Sequence, residues 1–213
     1  MAVKKHNITI VGCGPGGLDY LTPAARKEIE KAEVLAGTKR LLESFPEHRA
    51  ERIVVGSDLD AGLDQIAARQ GKRVVILVTG DPGLCSFARP VVRRFGRAAC
   101  RVVPGISSIQ AAFARVGVDW LDARIVSAHS RVPEIAPPAL AGVRKLAVLA
   151  GHAGSGRWLA DVAAVLGKSY RIFVCENLTL PTERVHEIQP SALRTLKSRG
   201  PQVILWLHKE ALS

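Results

Sequence analysis

Short apolar runs alternate along the chain with longer segments in which apolar residues recur at helical spacing. Eight runs have the length and composition of strands, and they lie at 8–11, 53–55, 74–79, 101–103, 123–127, 145–149, 171–175 and 203–207. A weaker strand-like run lies at 34–36. Strands that alternate with helices predict an α/β protein with mostly parallel sheets.

Helix signals lie between these runs. Thr22 is a capping residue and Pro23 suits the first turn, which predicts a helix that continues to residue 31. Asp58 begins a second predicted helix, which Gly71 ends. Further helix-like segments lie at 90–95, 106–116, 158–166 and 192–198. Because Gly117 ends one of these and a new strand begins near 123, we expect two α/β domains, 1–118 and 119–213.

The chain is basic, with 30 Lys and Arg, 19 Asp and Glu, and a net charge of +11. This excess indicates an acidic partner. The basic residues are spread along the chain, and only 5% of residues are aromatic, so platforms for stacking bases are scarce. A small polycarboxylate in a basic cleft suits this distribution as well as nucleic acid does.

Targeting and metal signals are weak. No apolar run approaches the roughly 18 residues of a spanning helix, and the start of the chain does not have the pattern of a signal peptide. The four cysteines lie far apart without a C-x-x-C pair, which favours a reduced cytoplasmic protein over a disulfide framework or a zinc site. His152 and His186 lack ligand-like spacing, so we expect no protein-bound metal.

A glycine-rich loop follows the first strand. Gly12, Gly14 and Gly17 match G-x-G-x-x-G, a weak signal for a dinucleotide site. Two features argue against that site: the next helix signal comes only at Thr22, and no acidic residue ends the run at 34–36. The loop is then either a turn that needs small residues or a wall that lies close to a large flat ligand.

Two turns, at 79–83 and 104–108, follow neighbouring strands. Ligands of open α/β sheets bind outside the carboxyl ends of the strands. Asp81 offers an acceptor for ribose hydroxyls or an ammonium group, while Ser107 and Ser108 offer hydroxyls and exposed N–H groups at a helix start, which suit a carboxylate. The two turns predict a ligand site without identifying the ligand.

Taken in order, four segments resemble the tetrapyrrole methylase family: Gly12-Cys13-Gly14-Pro15-Gly16, Gly80-Asp81-Pro82, Val103-Pro104-Gly105-Ile106-Ser107-Ser108 and Glu176-Asn177-Leu178. The resemblance covers nearly the whole chain. Further details are similar to members that methylate C5 of a corrin precursor, precorrin-7 or its cobalt form. Those details are Ala128-His129-Ser130-Arg131, Pro181, Glu183, Arg184 and Val185.

The resemblance implies a fold and a set of ligands. It implies two α/β domains, with the methyl donor S-adenosylmethionine in the cleft between them, and a homodimer. It places donor contacts at Thr79, Gly80, Asp81, Leu84, Ser107, Ser108 and Ala150. It places contacts with the acidic tetrapyrrole at Gly14, Pro15, His129, Arg131, Glu176 and Arg184.

Three polar side chains of the second half are candidates for contact with the substrate. His129 is a general base, a carboxylate partner, or a structural histidine beside a strand end. Arg131 suits carboxylate binding, because its planar guanidinium matches that geometry. Glu176 either binds a pyrrole N–H or pairs with Arg184.

The expected reaction is in-line displacement, in which a nucleophilic ring carbon attacks the sulfonium methyl group. No residue is assigned as an acid, base or nucleophile, since positioning supplies most of the rate enhancement of such a step. A separate protein would methylate C15 of the macrocycle with decarboxylation. Three alternatives stay open: another tetrapyrrole position, an RNA or diphthamide substrate, and a member that binds a corrinoid without catalysis.

Overall fold

The computed structural model describes residues 8–196 and 200–212. The chain divides into two compact units, Met1–Ser107 and Ser108–Ser213. Each unit has one five-stranded sheet.

The first unit is a parallel sheet with helices between its strands. Its elements are β1 (Ile8–Gly12), α1 (Pro23–Glu30), β2 (Val34–Gly37), α2 (Lys39–Glu43), β3 (Glu51–Val54), α3 (Leu59–Ala67), β4 (Val74–Val78), α4 (Ala88–Phe95) and β5 (Cys100–Val103). The strand order is β3-β2-β4-β1-β5, and every pairing is parallel. All five residues of β4 are buried, as expected of a central strand with helices on both faces.

Alternation along β4 divides the core of the first unit into two layers. Ile76 packs in a cluster with Leu63 of α3 and Val91 of α4. Its neighbour Leu77 points to the other face and packs in a cluster with Ile29 of α1. Sequence signals fix the helix starts, and the Thr22 hydroxyl accepts a hydrogen bond from the Ala25 N–H at 3.1 Å.

The second unit begins with a helix and has a mixed sheet. Its elements are α5 (Ser108–Val116), β6 (Arg124–Ala128), β7 (Lys145–Ala150), α6 (Gly156–Leu166), β8 (Tyr170–Glu176), β9 (Arg184–Ile188) and β10 (Gln202–His208). The strand order is β6-β7-β10-β8-β9. Trp158 and Val162 of α6 pack with Val148 and Trp206 over one face of the sheet.

The predicted α/β class is confirmed, and the predicted parallel pairing describes the first sheet throughout. The second sheet differs, because only β6 and β7 run parallel, while the pairings β7–β10, β10–β8 and β8–β9 are antiparallel. For β8 and β9 the reason is their connection, because they are joined by the short loop 177–183 instead of a crossover helix.

The structure adds two elements, α2 and β9, to the predicted set. The predicted helix 192–198 is a 3-10 helix at Pro190–Thr195, and residues 197 and 198 lie outside the described part. The helix predicted at 106–116 begins at Ser108 and packs against β10. The first compact unit ends at Ser107, whereas the expected first domain extends to residue 118, so this helix lies in the second unit.

Candidate functional site

Three glycines bring the turns after β1, β4 and β5 into close contact. These strands are adjacent in the sheet. A Cβ atom on Gly12 would lie 2.6 Å from the Gly105 nitrogen, and one on Gly105 would lie 2.5 Å from the Gly80 oxygen. No side chain fits at Gly12 or Gly105, so glycine is what allows the 79–83 and 104–108 turns to meet the glycine-rich loop.

The glycine-rich loop is hydrogen-bonded to the 79–83 turn. The Gly80 N–H donates to the Gly14 oxygen at 2.7 Å, and the Gly14 N–H donates to the Gly80 oxygen at 3.3 Å. Gly14 has a φ of 77° and Gly80 a φ of 71°, which L side chains rarely adopt. Pro15 is buried beside them. A short 3-10 helix at Leu18–Tyr20 follows the loop, and the first α-helix starts only at Pro23, so no α-helix begins directly after this loop.

Asp81 connects the two predicted turns. Its Oδ1 accepts a hydrogen bond from the Gly83 N–H at 2.8 Å, and its Oδ2 accepts one from the Gly105 N–H at 3.1 Å. The side chain is only half-buried, and each carboxylate oxygen can accept more than one hydrogen bond. Asp81 can therefore brace the turns and accept a ligand hydroxyl or ammonium group as well.

Arg40 contacts the 79–83 turn, which the sequence did not predict. Its Nη2 donates to the Thr79 hydroxyl at 2.9 Å, and both residues are exposed. Arg40 lies on α2, directly after β2, and β2 is the sheet neighbour of β4. The signal was present, since Thr38-Lys39-Arg40 follows the strand-like run at 34–36.

A cavity of about 200 Å³ opens beside Thr79, within the first unit. Its lining is mostly apolar and comes from the ends of three strands, from α2 and from the segment after the 79–83 turn. Lining residues include Gly37, Leu41, Val55, Leu77, Thr79 and Phe87. Leu84 is half-buried, and its N–H donates to the backbone carbonyl oxygen of Asp81 at 3.1 Å. Ser107 is buried.

In the second unit, one row of residues crosses the whole sheet at the end of β7. The strand register places Ala128, Ala150, Gln202, Glu176 and Arg184 side by side in that order. Three of the predicted site residues, Ala150, Glu176 and Arg184, thus share one row. Gln202, between two of them, was not predicted.

Glu176 is hydrogen-bonded to Gln202. The Gln202 Nε2 donates to the Glu176 Oε1 at 2.8 Å, and Gln202 is 4% exposed. Arg184 is the backbone partner of Glu176, but over the described ranges their side chains form no ion pair. Of the two interpretations of Glu176, the ion pair with Arg184 is therefore not formed in this structure.

His129 and Arg131 follow β6 and are exposed. His129 packs on Gly151, where a Cβ atom would lie 2.5 Å from the imidazole Nδ1. Arg131 is paired with Glu134 at 3.1 Å, and these two side chains are 75% and 79% exposed. Since so exposed a pair is weak, the Arg131 guanidinium can exchange Glu134 for another carboxylate.

The loop 177–183 is held by an ion pair. Glu183 accepts hydrogen bonds from the Arg115 Nε at 2.5 Å, from the Arg115 Nη2 at 3.2 Å and from the Thr179 N–H at 2.6 Å. The hydrogen bond with Arg115 holds the pKa of Glu183 below its ordinary value. Asn177 and Thr179 have φ values of 49° and 67°, so the pair stabilises a strained turn directly after Glu176.

The buried thiols are poor nucleophiles. Burial raises the pKa of Cys13 to about 12 and the pKa of Cys175 to about 12, which leaves almost no thiolate at neutral pH. Over residues 8–196 and 200–212, no group of three or more His, Cys, Asp or Glu side chains could hold a metal ion. No helix in that part of the chain is long and apolar enough to cross a membrane.

The predicted residues fall into two sets. Thr79, Gly80, Asp81, Leu84, Ser107, Gly14 and Pro15 belong to the first unit, and Ser108, Ala150, His129, Arg131, Glu176 and Arg184 belong to the second. The structure brings the first-unit turns together and puts three second-unit residues into one row. The ligand roles of all these residues stay predictions.

A family model and curated relatives both identify the same family for this chain. A family model described as Tetrapyrrole (Corrin/Porphyrin) Methylases matches residues 7–192. The chain is 37% identical over 199 residues to a cobalt-precorrin-7 C(5)-methyltransferase of Salmonella typhimurium, covering 93% of this chain and 98% of that protein. It is 34% identical to a decarboxylating precorrin-6Y C(5,15)-methyltransferase of Sinorhizobium, covering 86% of this chain but 45% of that one.

A solved structure shows the same fold. The uroporphyrin-III C-methyltransferase of Thermus thermophilus, in complex with S-adenosylhomocysteine, aligns with a TM-score of 0.79 and 22% identity. The alignment covers 97% of this chain and 100% of that one.

Proposed function

The chain belongs to the tetrapyrrole (corrin/porphyrin) methylases, and from this premise we propose that it transfers a methyl group from S-adenosylmethionine to C5 of precorrin-7 or its cobalt form. The observation that carries the proposal is the 37% identity to the Salmonella enzyme over 98% of that enzyme's length. The relative is named for methylation at C5 alone, and the match leaves almost none of it uncovered.

The geometry of the first unit supports a binding site for the methyl donor at the turns 79–83 and 104–108, which we call the donor seat. The hydrogen bond from the Gly105 N–H to Asp81 joins the turns 79–83 and 104–108, which the sequence predicted to bind the same ligand. Glycine at 12 and 105 keeps side chains out of this junction, so a ligand can approach the backbone closely. We propose that Asp81 accepts a hydrogen bond from a donor hydroxyl or ammonium group while it holds both turns.

The reaction needs little chemistry from side chains. The sulfonium supplies an activated methyl group, the nucleophilic ring carbon provides the electron pair of the new C–C bond, and the electron pair of the broken C–S bond returns to sulfur. The protein's part is to orient the two molecules and exclude water, which can supply an effective molarity of about 10⁵ M or more. The raised pKa values of Cys13 and Cys175 agree with a mechanism that uses no protein nucleophile.

The proposed substrate is an acidic macrocycle, and the chain carries an excess of positive charge that favours its binding. A net charge of +11 favours encounter with a polycarboxylate. We propose that Arg131 and Arg184 bind carboxylates of the macrocycle and that Glu176 accepts a hydrogen bond from a ring N–H. Arg131 is suited to this exchange because its present partner, Glu134, is exposed.

The assembly, the enzyme for the neighbouring methylation and the compartment are also part of what we propose. As the family resemblance implies, we propose that the protein is a homodimer. We propose that a separate polypeptide methylates C15, since the Salmonella relative is named for C5 only. We also propose a reducing compartment such as the cytoplasm, because Cys13, Cys85, Cys100 and Cys175 are all free thiols.

The test is incubation with S-adenosylmethionine labelled with ¹³C in its methyl group and a panel of precorrins, with and without cobalt. We expect the macrocycle to gain one methyl group by mass and ¹³C NMR to place the label at C5. A label at another carbon would correct the position. A label in added RNA, or donor binding without any transfer, would overturn the proposal.

A further inference from the structure

Gln202 is one of the few polar side chains that the fold buries. Over the described residues, the buried polar or charged side chains are Ser107, Ser155 and Gln202. Burying an amide without a hydrogen bond costs roughly 2–7 kcal/mol, depending on the reference state. Gln202 meets that requirement through Glu176, to whose Oε1 its Nε2 donates at 2.8 Å.

The sheet fixes where the Gln202 side chain lies. Gln202 begins β10, the central strand, and its register partners are Ala150 of β7 and Glu176 of β8. Directly opposite residues in an antiparallel pair project to the same face, with Cβ atoms about 5 Å apart. A central strand with a neighbour on each side has little freedom to shift, so Gln202 is a rigid point of attachment.

Glu176 is less fixed without Gln202. It is half-buried and ends β8, and the next residue, Asn177, has a φ of 49° as the chain turns away. Its Oε1 is occupied by the Gln202 amide, while no group in 8–196 or 200–212 donates to its Oε2. A carboxylate held at one oxygen presents the other oxygen in a defined direction.

A neutral amide is well suited to this task. An arginine at position 202 would neutralise the carboxylate and compete for both of its oxygens. The amide of Gln202 uses one oxygen and leaves the negative charge in place. Glu176 thus keeps the capacity to accept a hydrogen bond from a weak N–H donor outside the protein.

We propose that Gln202 is a positioning residue for the substrate: it holds Glu176 so that the Oε2 accepts a hydrogen bond from a ring N–H of the macrocycle. The inference rests on the proposed function, in which Glu176 contacts the tetrapyrrole. Gln202 acts through Glu176 and touches no reacting atom.

The test is a double-mutant cycle with Gln202→Met and Glu176→Ala. Methionine keeps the length of glutamine but donates no hydrogen bond. We expect Gln202→Met to raise the KM for the corrin precursor about tenfold, the loss of one hydrogen bond to a charged group, with kcat and the Kd for S-adenosylhomocysteine nearly unchanged. In the Glu176→Ala background the same change should have almost no effect on the KM, because the oxygen that accepts the Gln202 hydrogen bond is gone.

The matched control is Gln189→Met, since Gln189 is an exposed glutamine just after β9. It should leave every constant at the wild-type value. A readout that does not need a folded variant is the side-chain amide ¹⁵N resonance of Gln202 in the wild-type protein. That resonance should shift when the corrin precursor is added.

The outcomes separate this inference from the proposed function. Additive effects in the cycle, equal losses of donor and macrocycle affinity, or an unmoved Gln202 resonance would overturn the positioning role while the wild type still methylates the macrocycle. A wild-type protein that neither binds nor methylates any corrin precursor would overturn the proposed function and the role of Gln202 together.

Discussion

In the first unit the candidate site consists of backbone turns, whereas in the second it consists of side chains that project from the strands. The parallel strands β1, β4 and β5 all end at the same edge, so their turns meet there, and glycine allows the contact. The mixed second sheet instead places Ala150, Gln202 and Glu176 side by side in one row. The turns of the first unit should therefore tolerate no added side chain where their backbones touch. The row of side chains in the second unit should instead depend on which polar groups it contains.

The largest expected effect is at the junction of the turns. Gly105→Ala places a Cβ atom 2.5 Å from the Gly80 oxygen and 2.7 Å from Gly12 backbone atoms. Backbone cannot move aside as a side chain can, so we expect a loss of about 3 kcal/mol in the free energy of unfolding, at the upper end for overpacking. Urea denaturation measures it.

The matched control is Gly56→Ala, because a Cβ atom there meets nothing within 4 Å. Gly56 belongs to the same unit and should tolerate alanine within about 0.5 kcal/mol, as surface positions usually do. Equal stability of the two variants would contradict the view that close backbone contact builds this part of the site.

The next effect concerns the brace between the turns. Asp81→Ala removes the acceptor of the Gly83 and Gly105 N–H groups. We expect the Kd for S-adenosylmethionine to rise at least about tenfold, or about 1.4 kcal/mol, measured by isothermal titration calorimetry. Asp60→Ala, an exposed aspartate on α3, is the control and should leave the Kd unchanged. Unchanged donor affinity in the Asp81 variant would remove this residue from the donor seat.

A smaller, pH-dependent effect is expected in the second unit. The hydrogen bond with Arg115 lowers the folded-state pKa of Glu183 below 4.5. The pair therefore stabilises the fold fully above the unfolded-state pKa, and this stabilisation is lost as the pH falls through the folded-state pKa. Because 36% of the Arg115 side chain is exposed and screened by solvent, we expect no more than about 1 kcal/mol.

Glu183→Gln tests this by removing the titrating group. The variant should be less stable than the wild type at neutral pH, and the difference should shrink as the pH falls below 4.5. Thermal unfolding between pH 3 and pH 7 measures both curves. A difference that stays constant over this range would mean that the ion pair with Arg115 is not what holds the loop.

The sequence predicted the first unit better than the second, for a physical reason. Buried parallel strands such as β4 are continuous apolar runs, and Thr22 and Asp58 cap their helices as expected. The edge strand β9 has the polar sequence RVHEI, so it has no apolar run that would predict a strand. The loop 177–183, which makes β9 antiparallel to β8, contains no Gly and so carried no glycine turn signal.

The candidate site shows the same limit. Motif order predicted Asp81 and Ser107 as ligand contacts, because turns after strands are local in sequence. Arg40 and Gln202 were missed, because each contacts its partner only when two strands are neighbours in a sheet. The neighbours β2 and β4 bring Arg40 to Thr79, and the neighbours β10 and β8 bring Gln202 to Glu176. Gln202 begins β10 directly before the apolar run 203–207, and its role becomes visible only when the pairing of β10 with β8 is known.

The smallest effect on the fold, and the sharpest test of side-chain dependence, is at Arg131. Its pair with Glu134 is exposed at both ends, so Glu134→Gln should leave the unfolding midpoint unchanged. Removing that competitor frees the guanidinium, and the KM for the corrin precursor should stay equal or fall, while Arg131→Ala should raise it without changing donor affinity. If the KM for the corrin precursor is the same in the wild type and in both variants, Arg131 is only a solvated cation. Of the second-unit side chains that we propose to contact the substrate with a charge, only Glu176 and Arg184 would then remain.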